Sequence, residues 1–166
     1  MKPLYLIGAL ICFGSVFEGN AQGQSSDSKQ QPANHAGPGT TQQAPSVEHK
    51  GRSGSPLSEV VRVGPMLYLS GQLGVNAAGA LAAGGIKAET KQVMENIRNI
   101  LEKNASGMER VVKCTVMLLD IAERPAMSEV YAGYFPRDRM PARSTFGVTG
   151  LALGARVEIE CMATVK

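Results

Sequence analysis

Histidine is scarce in this sequence, and its scarcity argues against several classes of enzyme. The 166 residues include two histidines, His35 and His49, and no tryptophan. Both histidines lie in a polar N-terminal stretch, so we expect the folded domain to contain no imidazole. That expectation excludes hydrolases built on Ser-His-Asp or Cys-His groups and the usual zinc sites with histidine ligands.

Signatures of nucleotide and nucleic acid binding are also lacking. The sequence contains no G-x-x-x-x-G-K-[ST] loop, no G-x-G-x-x-G turn and no G-x-S-x-G motif. Its 17 Lys and Arg residues barely exceed its 14 Asp and Glu residues, and the basic residues form no run. In proteins that bind nucleic acid phosphates, the Lys and Arg residues are usually clustered. The sequence therefore predicts neither a nucleotide cofactor nor a nucleic acid partner.

The N-terminus has the pattern of a secretory signal peptide. Lys2 provides a positive start, residues 4–17 are almost all apolar or small, and Gly19-Asn20-Ala21 supplies small residues before a cut. The apolar run is shorter than the roughly 20 residues that span a bilayer. We therefore predict cleavage after Ala21, export to the periplasm or secretion, and no permanent membrane span. A retained anchor is the weaker alternative.

A change of composition near residue 56 predicts where the fold begins. Residues 22–55 are rich in Gln, Ser, Gly and Pro and nearly free of large apolar side chains, so they predict a disordered tether. Residues 56–166 form the predicted domain. Its two cysteines, Cys114 and Cys161, would form one disulfide in an oxidising compartment. Both lie among apolar strand residues, however, which favours buried free thiols.

Hydrophobic periodicity in the domain predicts an α+β fold with the order β-hairpin, α, β, α, β, β. The second helix begins at Pro125 and ends before Pro136. Two helices must cover one face of a mixed sheet, and the other face stays open unless another subunit covers it. The predicted strands are residues 60–63, 66–70, 111–119, 142–148 and 156–165, and the first helix spans residues 87–103.

Three polar features of the domain could carry chemistry. Glu158 and Glu160 lie on the polar side of the last strand, where a carboxylate can orient or deprotonate water. Arg143, at a strand start, could bind a carboxylate with two parallel hydrogen bonds. Ser70-Gly71-Gln72 lies at a strand end, where Gly allows close approach of a ligand. Each feature is also typical of an ordinary surface charge or turn.

Taken together, several segments of the domain resemble the RidA family (reactive intermediate deaminase, also named YjgF). They occur in the family's order and spacing over nearly the whole domain. The segments are Ser70-Gly71-Gln72, Glu89-Thr90-Lys91-Gln92-Val93-Met94-Glu95-Asn96-Ile97, Val111-Val112-Lys113-Cys114-Thr115-Val116, Val130-Tyr131-Ala132-Gly133-Tyr134-Phe135, Pro141-Ala142-Arg143-Ser144 and Val157-Glu158-Ile159-Glu160.

The resemblance implies a chorismate-mutase-like domain that assembles as a homotrimer with active sites between subunits. It implies a hydrolase that converts reactive 2-imino acids and their enamine tautomers, of the 2-aminoacrylate and 2-iminopropanoate type, to 2-oxo acids and ammonia without a metal or other cofactor. Arg143 would hold the substrate carboxylate, Glu158 rather than Glu160 would activate water, and Ser70 and Gly71 would lie near the imine.

Three positions depart from the family's deaminase pattern. Leu57 stands where a Tyr is usual, Ser128 where an Asn is frequent, and Thr145 where a Cys is frequent. Ser128 and Thr145 are predicted to contact the substrate. Two other functions stay open: a non-catalytic ligand-binding or chaperone-like module of the cell envelope, and an endoribonuclease. The scarcity of histidine and the lack of a basic cluster speak against the endoribonuclease.

Overall fold

The computed structural model describes residues 43–51 and 54–166, so the predicted signal peptide and most of the predicted tether lie outside the described residues. The strands are β1 (Val47–Lys50), β2 (Val60–Val63), β3 (Met66–Leu69), β4 (Gln72–Leu73), β5 (Val111–Leu118), β6 (Ala142–Gly147) and β7 (Val157–Thr164). The helices are α1 (Gly85–Lys103) and α2 (Arg124–Ala132), with short 3₁₀ turns at Met108–Arg110, Ile121–Glu123 and Ala152–Gly154.

The strands form one mixed sheet in the order β1-β2-β3-β7-β5-β6, and β4 also pairs with β7. Strands β5 and β6 run parallel, whereas the other pairs are antiparallel. A parallel pair needs a crossover connection, which here contains α2. The predicted α+β class and the predicted order of the main elements are therefore confirmed.

The two helices pack on one face of the sheet and enclose the core. Helix α1 contributes residues spaced three and four apart, which is the expected interval for one helical face. The opposite face of the sheet carries Tyr68, Phe146 and Met162, all exposed in the single chain. The fully buried side chains include Val93, Ile97 and Leu101 of α1, Met127 and Tyr131 of α2, Val116 and Leu118 of β5, and Val157 and Ile159 of β7.

A β-bulge at the start of β5 changes the predicted alternation. The pairing with β7 shifts between Val111 and Lys113, so Val111 is buried and Val112 is 44% exposed. Strict alternation along the predicted strand would place Val112 on the core face with Cys114, and the structure differs from that pattern. A bulge places two residues opposite one, which reverses the alternation locally. Beyond it, Cys114 is buried as predicted.

Strand β1 corrects the predicted end of the tether. Residues 47–50 pair antiparallel with β2, and His49 lies opposite Val61. The prediction of disorder is therefore wrong for these residues, and so is the prediction that the folded domain contains no imidazole. All four side chains of β1 are exposed, because an edge strand can be held by backbone hydrogen bonds alone. Such a strand leaves no hydrophobic pattern in the sequence.

Cys114 and Cys161 form a disulfide, contrary to the expectation of free thiols. The two residues are direct partners across the antiparallel strands β5 and β7, with Cα atoms 4.1 Å apart. The sequence correctly placed both on the apolar side of their strands. It did not show that the register sets them opposite each other.

Loss of this disulfide is expected to lower the free energy of unfolding by about 2–4 kcal/mol, because the bond closes a long loop in the unfolded chain. Urea denaturation of the wild type with and without a strong reductant measures the effect. The double variant Cys114→Ala/Cys161→Ala is the control, since its transition should not respond to reductant. Identical wild-type transitions in both conditions would contradict a stabilising disulfide.

Candidate functional site

Arg143 lies on β6, and its guanidinium group has hydrogen-bond donors that could bind an anion. Its strand partner is Cys114, whose side chain is in the core, so Arg143 projects towards the helices. Its guanidinium carbon lies over the ring of Tyr131, 4.8 Å from the ring centroid. Within the described ranges, the guanidinium has no carboxylate partner and makes no hydrogen bond. A half-buried cation with unused donors favours an anionic ligand.

Two other predicted substrate contacts lie in the same region. Thr145 follows Arg143 by two residues, and its strand partner is the buried Val116, so both project from the same face. Ser128 precedes Tyr131 by three residues in α2, and such residues share a helical face. We call Arg143, Thr145, Ser128 and Tyr131 the arginine cluster. The sequence indicated no role for Tyr131 in the site.

Tyr131 is the most enclosed member of the arginine cluster. Its side chain is 1% exposed, and its hydroxyl has no hydrogen-bond partner among the described residues. Burial raises the pKa of Tyr131 to about 12, and the positive charge of Arg143 partly opposes that rise. Tyr131 therefore remains a neutral phenol at physiological pH.

Glu158 lies on β7 between the buried Val157 and Ile159 and projects from the opposite, open face of the sheet. Its carboxylate lies against Gly71, where any added Cβ would collide with it. A larger residue at position 71 would therefore displace the Glu158 carboxylate, so the glycine leaves room for the carboxylate in this position. No ion pair or hydrogen bond of Glu158 occurs in the part of the chain that the structure describes. Glu160, two residues further along the same face, is more exposed.

Ser70 ties the segment that carries Leu57 to the sheet. Its hydroxyl donates to the Ser58 carbonyl oxygen at 2.6 Å, and its backbone N–H donates to the Glu59 carbonyl oxygen at 3.1 Å. The hydroxyl oxygen can still accept a hydrogen bond from a ligand. We call Glu158, Ser70 and Gly71 the glutamate cluster.

An open cleft of about 670 Å³ adjoins the glutamate cluster and is lined by Leu57, Ser70 and Gly71, among others. Its other wall is α1, where the Asn96 side chain donates to the carbonyl oxygens of Leu73 and Val75, each at 3.0 Å. The sequence indicated no role for Asn96. These bonds hold the loop after β4 against the helix and so shape the cleft.

The arginine and glutamate clusters do not meet within one chain. Strand β5 separates β6 from β7, and Arg143 pairs with Cys114 while Glu158 pairs with Met117, three residues further along β5. These offsets correspond to about 10 Å along the strands and about 9.5 Å across them. The two side chains also project from opposite faces. The two clusters are therefore separate within one chain, and we call each of them a half-site.

Other kinds of site find little support in the described residues. Across residues 43–51 and 54–166, no three His, Cys, Asp or Glu side chains lie close enough together to hold a metal ion. His49 lies on β1, at the sheet edge opposite β6 and Arg143. In the same ranges, no helix combines the length and hydropathy needed to cross a bilayer.

Comparison with known proteins places the fold in a family. The family model described as Endoribonuclease L-PSP matches residues 48–165. The 2-iminobutanoate/2-iminopropanoate deaminase of Capra hircus is 43% identical over 109 residues, which cover 65% of this chain and 79% of the goat protein. Reactive Intermediate Deaminase A, chloroplastic, of Arabidopsis thaliana is 39% identical over 111 residues, covering 66% of this chain and 59% of the plant protein.

Solved structures agree with this placement. The crystal structure of RidA from the Antarctic bacterium Psychrobacter matches with a TM-score of 0.64 and 32% sequence identity. The match covers 74% of this chain and 99% of the Psychrobacter chain. The similarity therefore extends over nearly the whole of the Psychrobacter chain, and the residues that the family model matches include both clusters.

Proposed function

The chain belongs to the RidA family, and we propose that it hydrolyses reactive 2-imino acids and their enamine tautomers to 2-oxo acids and ammonia. The observation that carries this proposal is the pair of unpartnered charges, the Arg143 guanidinium and the Glu158 carboxylate, among the described residues. One can bind a substrate carboxylate and the other can accept a proton from water. The names of the goat and plant relatives support the same activity.

The proposed reaction needs water as its only co-reactant. Arg143 holds the substrate carboxylate by two charge-assisted hydrogen bonds. Glu158 accepts a proton as the oxygen of a bound water attacks the carbon of the protonated imine, forming a C–O bond and a carbinolamine. Glu158 then returns its proton to the amino group, which becomes the leaving group. As the C–N bond breaks, Glu158 takes the hydroxyl proton, the C=O bond of the 2-oxo acid forms, and ammonia leaves. Holding the water oxygen close to the imine carbon in the geometry of attack can lower the activation barrier by several kcal/mol.

We propose that the active assembly is a homotrimer in which the arginine cluster of one subunit faces the glutamate cluster of the next. Two observations support this arrangement: the clusters are separated within a chain, and the open sheet face exposes Tyr68, Phe146 and Met162. Light scattering coupled to size exclusion measures the state in solution. A monomer at micromolar concentration with full activity would contradict an inter-subunit site.

A coupled assay tests the activity. An amino-acid oxidase generates imines from a panel of amino acids, and semicarbazide traps the imine that the protein has not hydrolysed. We expect less semicarbazone when the protein is present, most clearly with small aliphatic imines. If no small imine is hydrolysed faster than in buffer, the non-catalytic binding module becomes the better proposal. The endoribonuclease alternative gains little from the structure, since His49 lies at the sheet edge opposite β6 and Arg143.

We propose that the protein is exported and acts in the periplasm or outside the cell. The residue pattern before Ala21 supports cleavage of a signal peptide. The buried Cys114–Cys161 disulfide supports an oxidising compartment independently. Mass spectrometry of the protein from its native host should find an N-terminus near Gln22. Intact Met1 in a cytosolic fraction would contradict export.

A further inference from the structure

Tyr131 has a feature that packing alone does not account for. It is almost completely buried, yet its hydroxyl has no hydrogen-bond partner among the described residues. A phenylalanine would fill the same space without a buried, unsatisfied hydroxyl. The ring, however, lies directly under the guanidinium of Arg143. This contact uses the face of the ring and does not involve the hydroxyl.

We propose that Tyr131 is a positioning residue whose ring face holds the Arg143 guanidinium ready to bind the substrate carboxylate. This inference rests on the proposed function. The electron-rich face of an aromatic ring attracts a cation within about 6 Å of its centroid, and the observed separation is 4.8 Å. The attraction limits the rotamers of a long side chain before the ligand arrives, so less entropy is lost on binding.

A neutral ring suits this position better than a carboxylate would. An Asp or Glu partner would occupy the guanidinium N–H groups and compete with the substrate for them. The ring face engages the guanidinium without accepting those hydrogen bonds, so the donors remain available. Because burial raises the pKa of Tyr131 to about 12, the phenol does not ionise and does not become a competing anion.

Phe135 packs against the ring of Tyr131. It lies four residues after Tyr131, just beyond the end of α2, with ring centroids 4.9 Å apart and an angle of 51° between the planes. Phe135 is itself buried. The guanidinium is therefore supported by a ring that has little freedom to move.

The test compares two side chains of nearly equal shape at position 131. Tyr131→Phe keeps the ring face, whereas 3,4,5-trifluorophenylalanine at the same position keeps the shape but withdraws electron density from the face. Tyr131→Phe should stay within about twofold of the wild-type KM. The fluorinated variant should raise KM about 3- to 30-fold, the range expected for loss of a cation–π contact. The value of kcat should change by less than about twofold, because water activation does not involve this ring.

Tyr134, two residues beyond the end of α2, provides a matched control. Arg98 lies over the Tyr134 ring at 4.9 Å, but that pair is on the outer side of α1 and α2, next to Glu95. The same phenylalanine and trifluorophenylalanine substitutions at position 134 should give equal KM values. A change in KM at both positions would point to general loosening of α2 and would overturn the positioning role.

Calorimetry with 2-oxobutanoate, a non-reacting carboxylate of the product class, separates the inference from the function on which it rests. We expect the fluorinated variant at position 131 to raise the Kd by the same factor as KM. If the wild type binds 2-oxobutanoate and hydrolyses imines but the two phenylalanine variants bind equally, only the positioning role of Tyr131 is wrong. If the wild type neither binds nor hydrolyses, the proposed function is wrong and the positioning role falls with it.

Discussion

Glu158→Gln is expected to lower kcat for imine hydrolysis by about 10²–10⁴-fold, the usual contribution of a general base. The amide has nearly the shape of the carboxylate, so it fits the same space against Gly71. It has no oxygen basic enough to take the proton from water. Because Arg143 holds the substrate carboxylate, KM should change by less than about threefold. The coupled imine assay measures both constants.

Glu160→Gln is the matched control for this substitution. Glu160 lies two residues further along β7 on the same face of the sheet, and it is more exposed than Glu158. The control therefore removes an equal charge from the same strand, and its kcat should stay within about threefold of the wild type. Equal losses in the two variants would mean that charge near β7, rather than a base at Glu158, is what the reaction needs.

The pattern of β7 shows what sequence alone could predict about this site. Buried Val157, Ile159 and Cys161 alternate with Glu158 and Glu160, and the structure has the predicted alternation. The period of a strand is two residues, so the polar side follows directly once the strand is identified. That placement identified Glu158 as a candidate base before its contact with Gly71 was known.

Relations between strands could not be predicted in the same way. The disulfide depends on the register that sets Cys114 opposite Cys161, and the exposure of Val112 depends on a bulge. Strand β1 contributes only exposed side chains, so nothing in its composition distinguishes it from the tether. Each of these features is fixed by backbone pairing between distant segments, which leaves no local hydrophobic signal.

The separation of Arg143 and Glu158 is also a relation between strands. The family resemblance implies that the two residues act in one site, while the fold places them on opposite faces of the sheet. Arg143 and Glu158 can still act on the same substrate if the site is assembled from neighbouring subunits. A mutational test must therefore also measure the oligomeric state, because a variant that no longer assembles would lose activity even if its side chain had no chemical role. Light scattering of each variant at the assay concentration provides that control.

Arg143→Ala is expected to lower kcat/KM by about 10²–10⁴-fold, because two charge-assisted hydrogen bonds of about 1.5–3 kcal/mol each are lost. Most of the loss should appear as a higher KM. Arg143→Lys keeps the charge but loses both the planar fork and the contact with Tyr131. It should give a smaller rise in KM together with a slower kcat, because the substrate is held in a less defined position.

An imine substrate that lacks a carboxylate tests whether Arg143 acts by binding the substrate carboxylate. Generated from a simple amine by an amine oxidase, it should be a poor substrate of the wild type, and Arg143→Ala should change its kcat/KM by less than about threefold. Arg98→Ala is the matched control, since Arg98 also lies over a tyrosine ring, that of Tyr134, but belongs to neither half-site. It should leave hydrolysis of the 2-imino acids within about twofold of the wild type. If Arg143→Ala slows both kinds of imine equally, Arg143 supports the fold or the assembly. A larger effect on the 2-imino acids alone would mean that the guanidinium binds the substrate carboxylate, since only that group distinguishes the two substrates at Arg143.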